Sequence, residues 1–190
     1  MGQLRRCAMN RSKKAFKSIK TSSSVERGTA DKLRPIDSLL EELSWHRRQK
    51  QIIVFTNGCF DIVHKGHIEL LKLCRQQGDI VVVGLNSDSS VKAIKGPERP
   101  INNQYDRAAV LAALESVDYV IIFDEPSVLS LVKKVKPDVL VKGQDWAKKG
   151  VVGREFVESY GGKVVLAPIV QGQSSTATIE KIKALQKQPL

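Results

Sequence analysis

The sequence predicts a doubly wound α/β domain, with a Rossmann-like five-stranded parallel sheet covered by helices on both faces. From residue 52 onward, short apolar runs alternate with stretches whose apolar residues recur at helical spacing. The runs at residues 80–83 and 139–141 are apolar at every position, which is typical of parallel strands buried between two layers of helices. Strands and helices that alternate in this way predict a single sheet joined by right-handed crossovers.

The strands are predicted at residues 52–56, 79–85, 118–123, 138–142 and 163–167. The helices between and after them are predicted at residues 67–76, 88–94, 104–115, 126–135, 151–160 and 175–187. A preceding helix opens at Pro35, because apolar residues follow at helical spacing and Ser38 and Glu41 are spaced as a capping box. We expect residues 35–50 to form an edge helix and residues 51–187 to form the main domain.

A basic segment opens the chain. Residues 1–25 contain seven Lys or Arg residues and no acidic residue, and the whole chain of 190 residues has a formal net charge of +11. Because this segment shows little periodicity and includes three consecutive serines, residues 1–34 are predicted to be a disordered basic tail. A transit peptide is an alternative for the same composition.

The overall composition is that of an ordinary soluble domain, 42% hydrophobic and 27% charged. No apolar stretch approaches the roughly 18 residues that a membrane span needs, so we expect a cytoplasmic protein with no membrane partner. Three scattered cysteines argue against a disulfide framework. An aromatic content of 5% and the lack of a recognisable nucleic-acid-binding motif argue against a nucleic-acid partner.

The main functional signal is the sequence HKGH at residues 64–67, which follows the first strand and opens a helix. The first turn of a helix presents unpaired N–H groups that favour an anion, and Gly66 leaves room for a phosphate. His64 and His67 can donate to the oxygens of a transferring phosphoryl group, while Asp61 can hold the loop or orient a histidine. The alternative is that His64 is a loop residue and His67 a helix cap.

A zinc site is a second alternative, with Cys59, His64, His67 and Cys74 as ligands. Cys74 would lie about 10 Å beyond His67 along the helix, at 1.5 Å per residue. One tetrahedral centre does not readily hold both side chains, so the sequence favours an anion site.

The stretch FTNGCFDIVHKGH at residues 55–67 resembles the signature of the HxGH nucleotidyltransferase superfamily, which is cytidylyltransferase-like. The resemblance continues through VGLNSD at 83–88, KG at 95–96, RPI at 99–101, Arg107, VKGQD at 141–145 and GQSST at 172–176. This ordered set, over residues 36–187, is most similar to the D-glycero-β-D-manno-heptose 1-phosphate adenylyltransferase domain of ADP-heptose synthase. The resemblance implies an enzyme that joins AMP from ATP to a sugar 1-phosphate, with Mg²⁺ accompanying the ATP.

The resemblance also implies roles for particular residues. The catalytic residues would be His64, His67 and Lys95. The nucleotide would be bound by Thr56, Asn57, Gly58, Cys59, Phe60, Gly66, Lys142, Gly143, Asp145, Ser174, Ser175 and Thr176. The sugar phosphate would be bound by Asp61, Asn86, Asp88, Arg99 and Arg107. No residue is predicted to be a metal ligand. Simpler alternatives are a solvated loop lysine for Lys95, an exposed helix residue for Arg107, and a helix N-cap for Ser174 or Ser175.

Other members of the superfamily provide alternative functions. Glycerol-3-phosphate cytidylyltransferases carry an arginine where this chain has Ile169, which favours the heptose branch. An FAD-synthetase-like adenylyltransferase has the same fold and also uses ATP. Outside this class, the basic tail is compatible with a non-catalytic nucleic-acid-binding module. We further expect a role in lipopolysaccharide core biosynthesis, a homo-oligomer, and a separate heptose kinase that supplies the sugar phosphate.

Overall fold

The computed structural model describes residues 29–186, which form an α/β domain around a five-stranded sheet. The strands are β1 (Ile53–Gly58), β2 (Ile80–Asn86), β3 (Tyr119–Phe123), β4 (Val139–Gly143) and β5 (Lys163–Ala167). Their order in the sheet is β3-β2-β1-β4-β5, and every pair is parallel. The predicted fold class is confirmed, and the strand bounds lie within two residues of those predicted.

The helices are α1 (Thr29–Lys32), α2 (Ile36–Arg48), α3 (Lys65–Gln77), α4 (Asp88–Lys95), α5 (Gln104–Ala112), α6 (Leu129–Val135), α7 (Arg154–Glu158) and α8 (Ser175–Leu185), with a 3₁₀ turn at Gln144–Trp146. The helices predicted to begin at residues 126 and 151 each begin three residues later. For α7 the reason is Gly153, whose left-handed backbone (φ 93°) precedes the helix. Among the described residues, no helix is long and apolar enough to cross a membrane.

The sheet is buried between two layers of helices. Leu39 and Leu43 of α2 pack with the side chains of α6 and α7 against one face, where Phe55 of β1 points. Leu71 and Cys74 of α3 pack with α5 against the opposite face. Both faces of the central strands are therefore apolar, as the uninterrupted apolar runs predicted.

Helix α2 covers the face of the sheet and contacts β1 and β3, so the prediction of an edge helix is wrong. Leu39 and Leu43 are both fully buried, since one apolar stripe of the helix faces the core. The predicted capping box is also wrong: α2 begins after Pro35 with no side-chain cap, and Ser38 lies inside the first turn. His46, near the end of α2, is buried and hydrogen-bonded to the hydroxyl of Tyr119 at 2.8 Å.

The predicted tail extends too far into the domain. Residues 29–32 form α1, and the Arg34 N–H donates to the Val120 carbonyl at 3.0 Å. Because β3 is an edge strand, this contact gives its backbone a partner that the sheet does not provide. The rest of the predicted tail, residues 1–28, lies outside the described residues.

Strand β1 lies at the centre of the sheet and pairs very differently with its two neighbours. It pairs with β2 over its whole length, up to Gly58 opposite Leu85. It pairs with β4 only at Val54 with Val139 and at Phe55 with Leu140. Beyond those positions β1 and β4 no longer pair. Ligands of open α/β sheets bind in the crevice at the carboxyl ends of such strands, and we call this region the crevice.

If α2 is an integral part of the domain, Leu43→Ala should lower the free energy of unfolding by about 2–5 kcal/mol through lost burial and a residual cavity. The matched control is Leu185→Ala, because Leu185 in α8 is 60% exposed, and its loss should cost less than about 1 kcal/mol. Urea denaturation of both variants measures the difference. Equal, small effects would show that α2 is peripheral.

Candidate active site

The two histidines lie together at the start of α3. His64 is the N-cap residue and His67 lies in the first turn, so their imidazole rings stack with centroids 3.8 Å apart and planes 25° from parallel. Phe60 covers the other side of His67, with ring centroids 4.9 Å apart. The Nδ1 atoms of both histidines are buried and have no hydrogen-bond partner among the described residues. The helix-cap alternative is not supported, because neither imidazole caps α3.

Burial lowers the pKa of both histidines. It lowers the pKa of His67 to about 4, with a smaller contribution from the neighbouring His64. Burial alone lowers the pKa of His64. Both imidazoles are therefore neutral at pH 7 without a ligand, and each can donate one N–H to a phosphate oxygen while the other ring nitrogen remains an acceptor.

Gly66 allows the His64 imidazole to lie close to the backbone of α3. A Cβ atom there would lie 3.0 Å from Cε1 and 3.1 Å from Nδ1 of His64, and 3.8 Å from Cβ of Gln173. Any larger residue would displace the imidazole. The last of these distances shows that the segment before α8 passes beside Gly66, which lies between the two histidines.

Helix α8 joins this site through its first residues. Ser175 donates from Oγ to the Ile62 carbonyl at 3.0 Å, which ties α8 to the loop before the histidines. Ser174 caps the helix by accepting from the Ala177 N–H at 3.0 Å, so the N-cap alternative for Ser174 is confirmed. Thr176 follows and is exposed. The GQSST segment and the HKGH segment are therefore neighbours, although about 110 residues separate them in the chain.

Asp61 holds the loop at residues 99–102 in place. Its carboxylate is 2% exposed and accepts from Arg99 Nε at 2.6 Å, from the Ile101 N–H at 2.8 Å and from the Asn102 N–H at 3.0 Å. The loop-holding role that the sequence allowed for Asp61 agrees with this geometry. The predicted substrate contact of Asp61 is not supported, because its oxygens already accept these bonds.

Arg107 is buried, with 1% of its surface exposed, and it joins four parts of the site. Its guanidinium donates to the carbonyls of Cys59 at 2.6 Å, Asn86 at 2.8 Å and Asn102 at 3.0 Å, and to the Asp88 carboxylate at 2.8 Å. The alternative of an exposed helix residue is wrong for Arg107, because its side chain is buried. The predicted contact of Arg107 with substrate stays a prediction, and its donors already bond to protein groups.

The ends of β2 and α4 provide the remaining predicted substrate residues. Asn86 is buried and donates from Nδ2 to Ser90 Oγ at 2.9 Å. Asp88 is about one-third exposed and is paired with Arg107. Lys95 is exposed at the last turn of α4, and its charge lies close enough to the Cys59 thiol to act on it. Of these three side chains, Lys95 is the most accessible to a ligand.

The loop after β1 supplies backbone and shape. A Cβ atom at Gly58 would lie 3.1 Å from the Phe60 ring, so glycine lets that ring turn back towards the strand. Thr56 is fully buried and its hydroxyl has no partner among the described residues. Burial raises the pKa of Cys59 although nearby cations oppose the shift, so the thiol is protonated at neutral pH.

Lys142, near the end of β4, reaches across the gap to β1 at the floor of the crevice and is 8% exposed. Its Nζ donates to the Asn57 carbonyl at 2.9 Å and to Asn57 Oδ1 at 3.1 Å, and lies 4.7 Å from the centre of the Trp146 ring. Burial lowers the pKa of Lys142 to about 8, and the nearby Asp145 opposes that shift. Trp146 thus lies against a residue of the crevice.

Gly143 and Asp145 complete this side of the crevice. A Cβ atom at Gly143 would lie 2.5 Å from Asp145 Oδ1, so glycine allows the carboxylate to turn back over the end of the strand. Within residues 29–186 there is no group of three or more His, Cys, Asp or Glu side chains that could hold a metal ion. The zinc alternative fails for this reason, and Cys74 is fully buried in the core.

The model of the cytidylyltransferase-like family matches residues 55–181, which includes both halves of the crevice. The chain belongs to this family. Bifunctional protein HldE of Campylobacter concisus is 53% identical over 152 residues, and HldE of Methylobacillus flagellatus is 50% identical over 153 residues. Each alignment covers 80% of this chain and 31% of the relative, so the chain spans about a third of the length of these curated relatives.

Two solved structures have a similar fold. The lipopolysaccharide core biosynthesis protein of Thermoplasma volcanium is 31% identical with a TM-score of 0.50, over 63% of this chain and 97% of that one. Pantoate-beta-alanine ligase of Francisella tularensis, complexed with a form of ATP and with beta-alanine, has a TM-score of 0.52 over 79% of this chain and 78% of the ligase. It is 18% identical, so this likeness shows the fold alone.

We expect the His67 imidazole to titrate near pH 4 in an NMR pH titration of the ligand-free protein. His64→Gln should raise the pKa of His67 only in part, because burial is the larger cause of the shift. Since the folded-state pKa lies below the unfolded value, the free energy of unfolding should be highest above pH 6.5 and should fall by about 2–3 kcal/mol towards pH 4. His67→Gln should flatten this dependence. Titration of His67 at pH 6.5 or above would contradict the buried, neutral imidazole.

Arg107→Gln should lower the free energy of unfolding by about 3–5 kcal/mol, because the buried guanidinium's hydrogen bonds to three carbonyls and its ion pair with Asp88 are lost. The control is Arg154→Gln, since Arg154 forms an exposed i,i+4 pair with Glu158 and its loss should cost less than about 0.5 kcal/mol. Chemical denaturation compares the two variants. A loss of ligand affinity with unchanged stability would instead make Arg107 a direct ligand.

Proposed function

We propose that this chain is an adenylyltransferase that joins AMP from ATP to D-glycero-D-manno-heptose 1-phosphate, giving ADP-heptose and pyrophosphate. The observation that carries the proposal is the stacked pair His64 and His67 at the start of α3, packed beside the first turn of α8. Two neutral imidazoles and two helix N-termini that converge at the crevice form a site for a polyphosphate. The heptose as acceptor is supported by HldE relatives, three of which are 48–53% identical over 80% of this chain.

The proposed reaction needs alignment more than acid–base chemistry. An oxygen of the sugar 1-phosphate is already anionic, so it attacks the α-phosphorus of ATP and forms a new P–O bond. The bond from the α-phosphorus to the bridging oxygen breaks, and pyrophosphate leaves with that electron pair. His64 and His67 donate N–H groups to the non-bridging oxygens, and Lys95 brings a positive charge from α4. No covalent nucleophile is required, which agrees with the protonated thiol of Cys59.

We propose Mg²⁺ as the cation that accompanies ATP. The part of the chain that the structure describes has no cluster of carboxylates to hold a metal ion, so the triphosphate oxygens would supply its ligands. We therefore assign no metal-binding residue and derive no step through the ion.

The second candidate is transfer to another acceptor within the same family. A glycerol-3-phosphate-type cytidylyltransferase would place an arginine at position 169, whereas Ile169 is 59% exposed in the segment before α8 and offers no charge. An FAD-synthetase-like reaction would use the same ATP site with a different acceptor. A cytoplasmic location, a homo-oligomer, a separate heptose kinase and a place in lipopolysaccharide core biosynthesis remain parts of the proposal.

The test measures pyrophosphate release from ATP and from CTP with Mg²⁺ and each anomer of D-glycero-D-manno-heptose 1-phosphate. We expect release with ATP and one anomer, and His67→Ala should lower kcat by at least about 100-fold because a donor to the transition state is lost. The control is Arg154→Gln, because Arg154 lies outside the crevice. This variant shows whether preparing and folding a substituted protein changes the activity by itself. Activity with CTP and glycerol 3-phosphate, or with ATP and FMN, would replace the heptose assignment. Undiminished activity of His67→Ala would remove the histidine pair from the mechanism.

A further inference from the structure

Lys142 spans the gap where the central strands separate. Strands β1 and β4 stop pairing after Phe55 and Leu140, so the Asn57 carbonyl has no partner on β4 in the regular ladder. The Lys142 ammonium supplies one, by donating to that carbonyl at 2.9 Å. A buried side chain thus replaces a backbone hydrogen bond at the floor of the crevice.

The donors of this ammonium are already in use. Two of its three N–H groups point at Asn57 O and Asn57 Oδ1, and its charge lies 4.7 Å from the centre of the Trp146 ring. The side chain is 8% exposed. Direct contact between Lys142 and a nucleotide, which the sequence predicted, is therefore not supported by its geometry.

The contact also determines which end of the Asn57 side-chain amide faces Lys142. An ammonium has donors only, so it must face Oδ1, which leaves the Nδ2 group as the outer end of the amide. Asn57 is partly exposed at the carboxyl end of β1, and Nδ2 forms no hydrogen bond with any described residue. The free end of the amide is thus a donor, which suits an anionic oxygen.

We propose that Lys142 is a positioning residue that holds the Asn57 amide with its NH₂ group towards the crevice, so that Asn57 donates to an oxygen of the bound nucleotide. This inference rests on the proposed function for its ligand, while the orientation of Asn57 rests on the structure alone. Trp146 contributes by shielding the ammonium from water on its remaining side.

The arrangement makes the amide sensitive to pH. Two ionisable groups, Asp145 and the Cys59 thiol, lie near the ammonium, and a second cation, Lys149, lies 5.9 Å from the centre of the same Trp146 ring. Burial is the largest influence and lowers the pKa of Lys142 to about 8. A neutral amine can accept a hydrogen bond, so above that pH the amide is free to turn and present Oδ1 to the ligand. An acceptor facing an anion disfavours binding.

The experiment compares Lys142→Met with Lys149→Met in the full chain. Both variants remove a lysine next to Trp146, but only Lys142 contacts Asn57. We expect Lys142→Met to raise the KM for ATP about tenfold or more, the value of one hydrogen bond to a charged group, and to abolish the decline in kcat/KM above about pH 8. Lys149→Met should change kcat/KM less than about twofold and keep the decline. Lys142→Arg should restore part of the affinity.

A ¹⁵N NMR titration of the Asn57 side-chain amide in the ligand-free protein separates this inference from the proposed reaction. The amide should shift with a midpoint near pH 8 in the wild type and in Lys149→Met, and should not shift in Lys142→Met. An inactive wild type that shows this titration would overturn the reaction and leave the positioning role intact. An Asn57 amide indifferent to pH, or a Lys142→Met variant with wild-type KM and pH profile, would overturn the positioning role.

Discussion

The separation of β1 from β4 is the constraint on which the rest of the molecule depends. In a doubly wound parallel sheet, the helices that follow the two central strands pack on opposite faces of the sheet. The carboxyl ends of these two strands are therefore not covered by a helix. Here the backbone ladder between these strands ends at Phe55 and Leu140, three residues before either strand ends. Lys142 connects the two strands through its hydrogen bonds to β1, and the loop of residues 58–62 leads from β1 towards α3.

Two buried charged side chains hold the wall of the crevice in place. Their hydrogen bonds go to other parts of the protein and not to a ligand. Asp61 accepts three hydrogen bonds from the loop at residues 99–102, and Arg107 donates to that loop, to the end of β2 and to the loop after β1. Removing either charged side chain would leave its partners without hydrogen bonds. The free energy of unfolding would then fall by more than the net contribution of the interaction to stability. The two networks share Asn102, so the wall of the crevice behaves as one unit. Against this fixed wall, the neutral histidines and the exposed Lys95 are the groups available to a phosphate.

Local patterns were enough to predict most of the fold. Strand β5 was predicted at its observed bounds, because the apolar run at residues 164–167 follows Lys163, ends before Pro168 and has no competing helical period. Helix α2 was predicted from its apolar spacing, yet its place on the face of the sheet was not. A helical period shows that one side of the helix is buried and says nothing about what buries it. Within the contiguous HKGH segment, the two histidines lie together as expected, while their role stays a prediction.

The sequence by itself determined the order of strands and helices along the chain and the position of the histidine pair, because each depends on residues close together. It also determined the family, because the motifs that carry the resemblance are short segments read in order along the chain. The tertiary structure decided which charged residues remain available to a ligand. Asp61 pairs with a residue 38 positions away, Arg107 bonds to one 48 positions away and Lys142 to one 85 positions away. A side chain buried with its hydrogen bonds satisfied and one open to solvent look identical in the sequence. The difference arises only when distant segments meet at the end of the sheet.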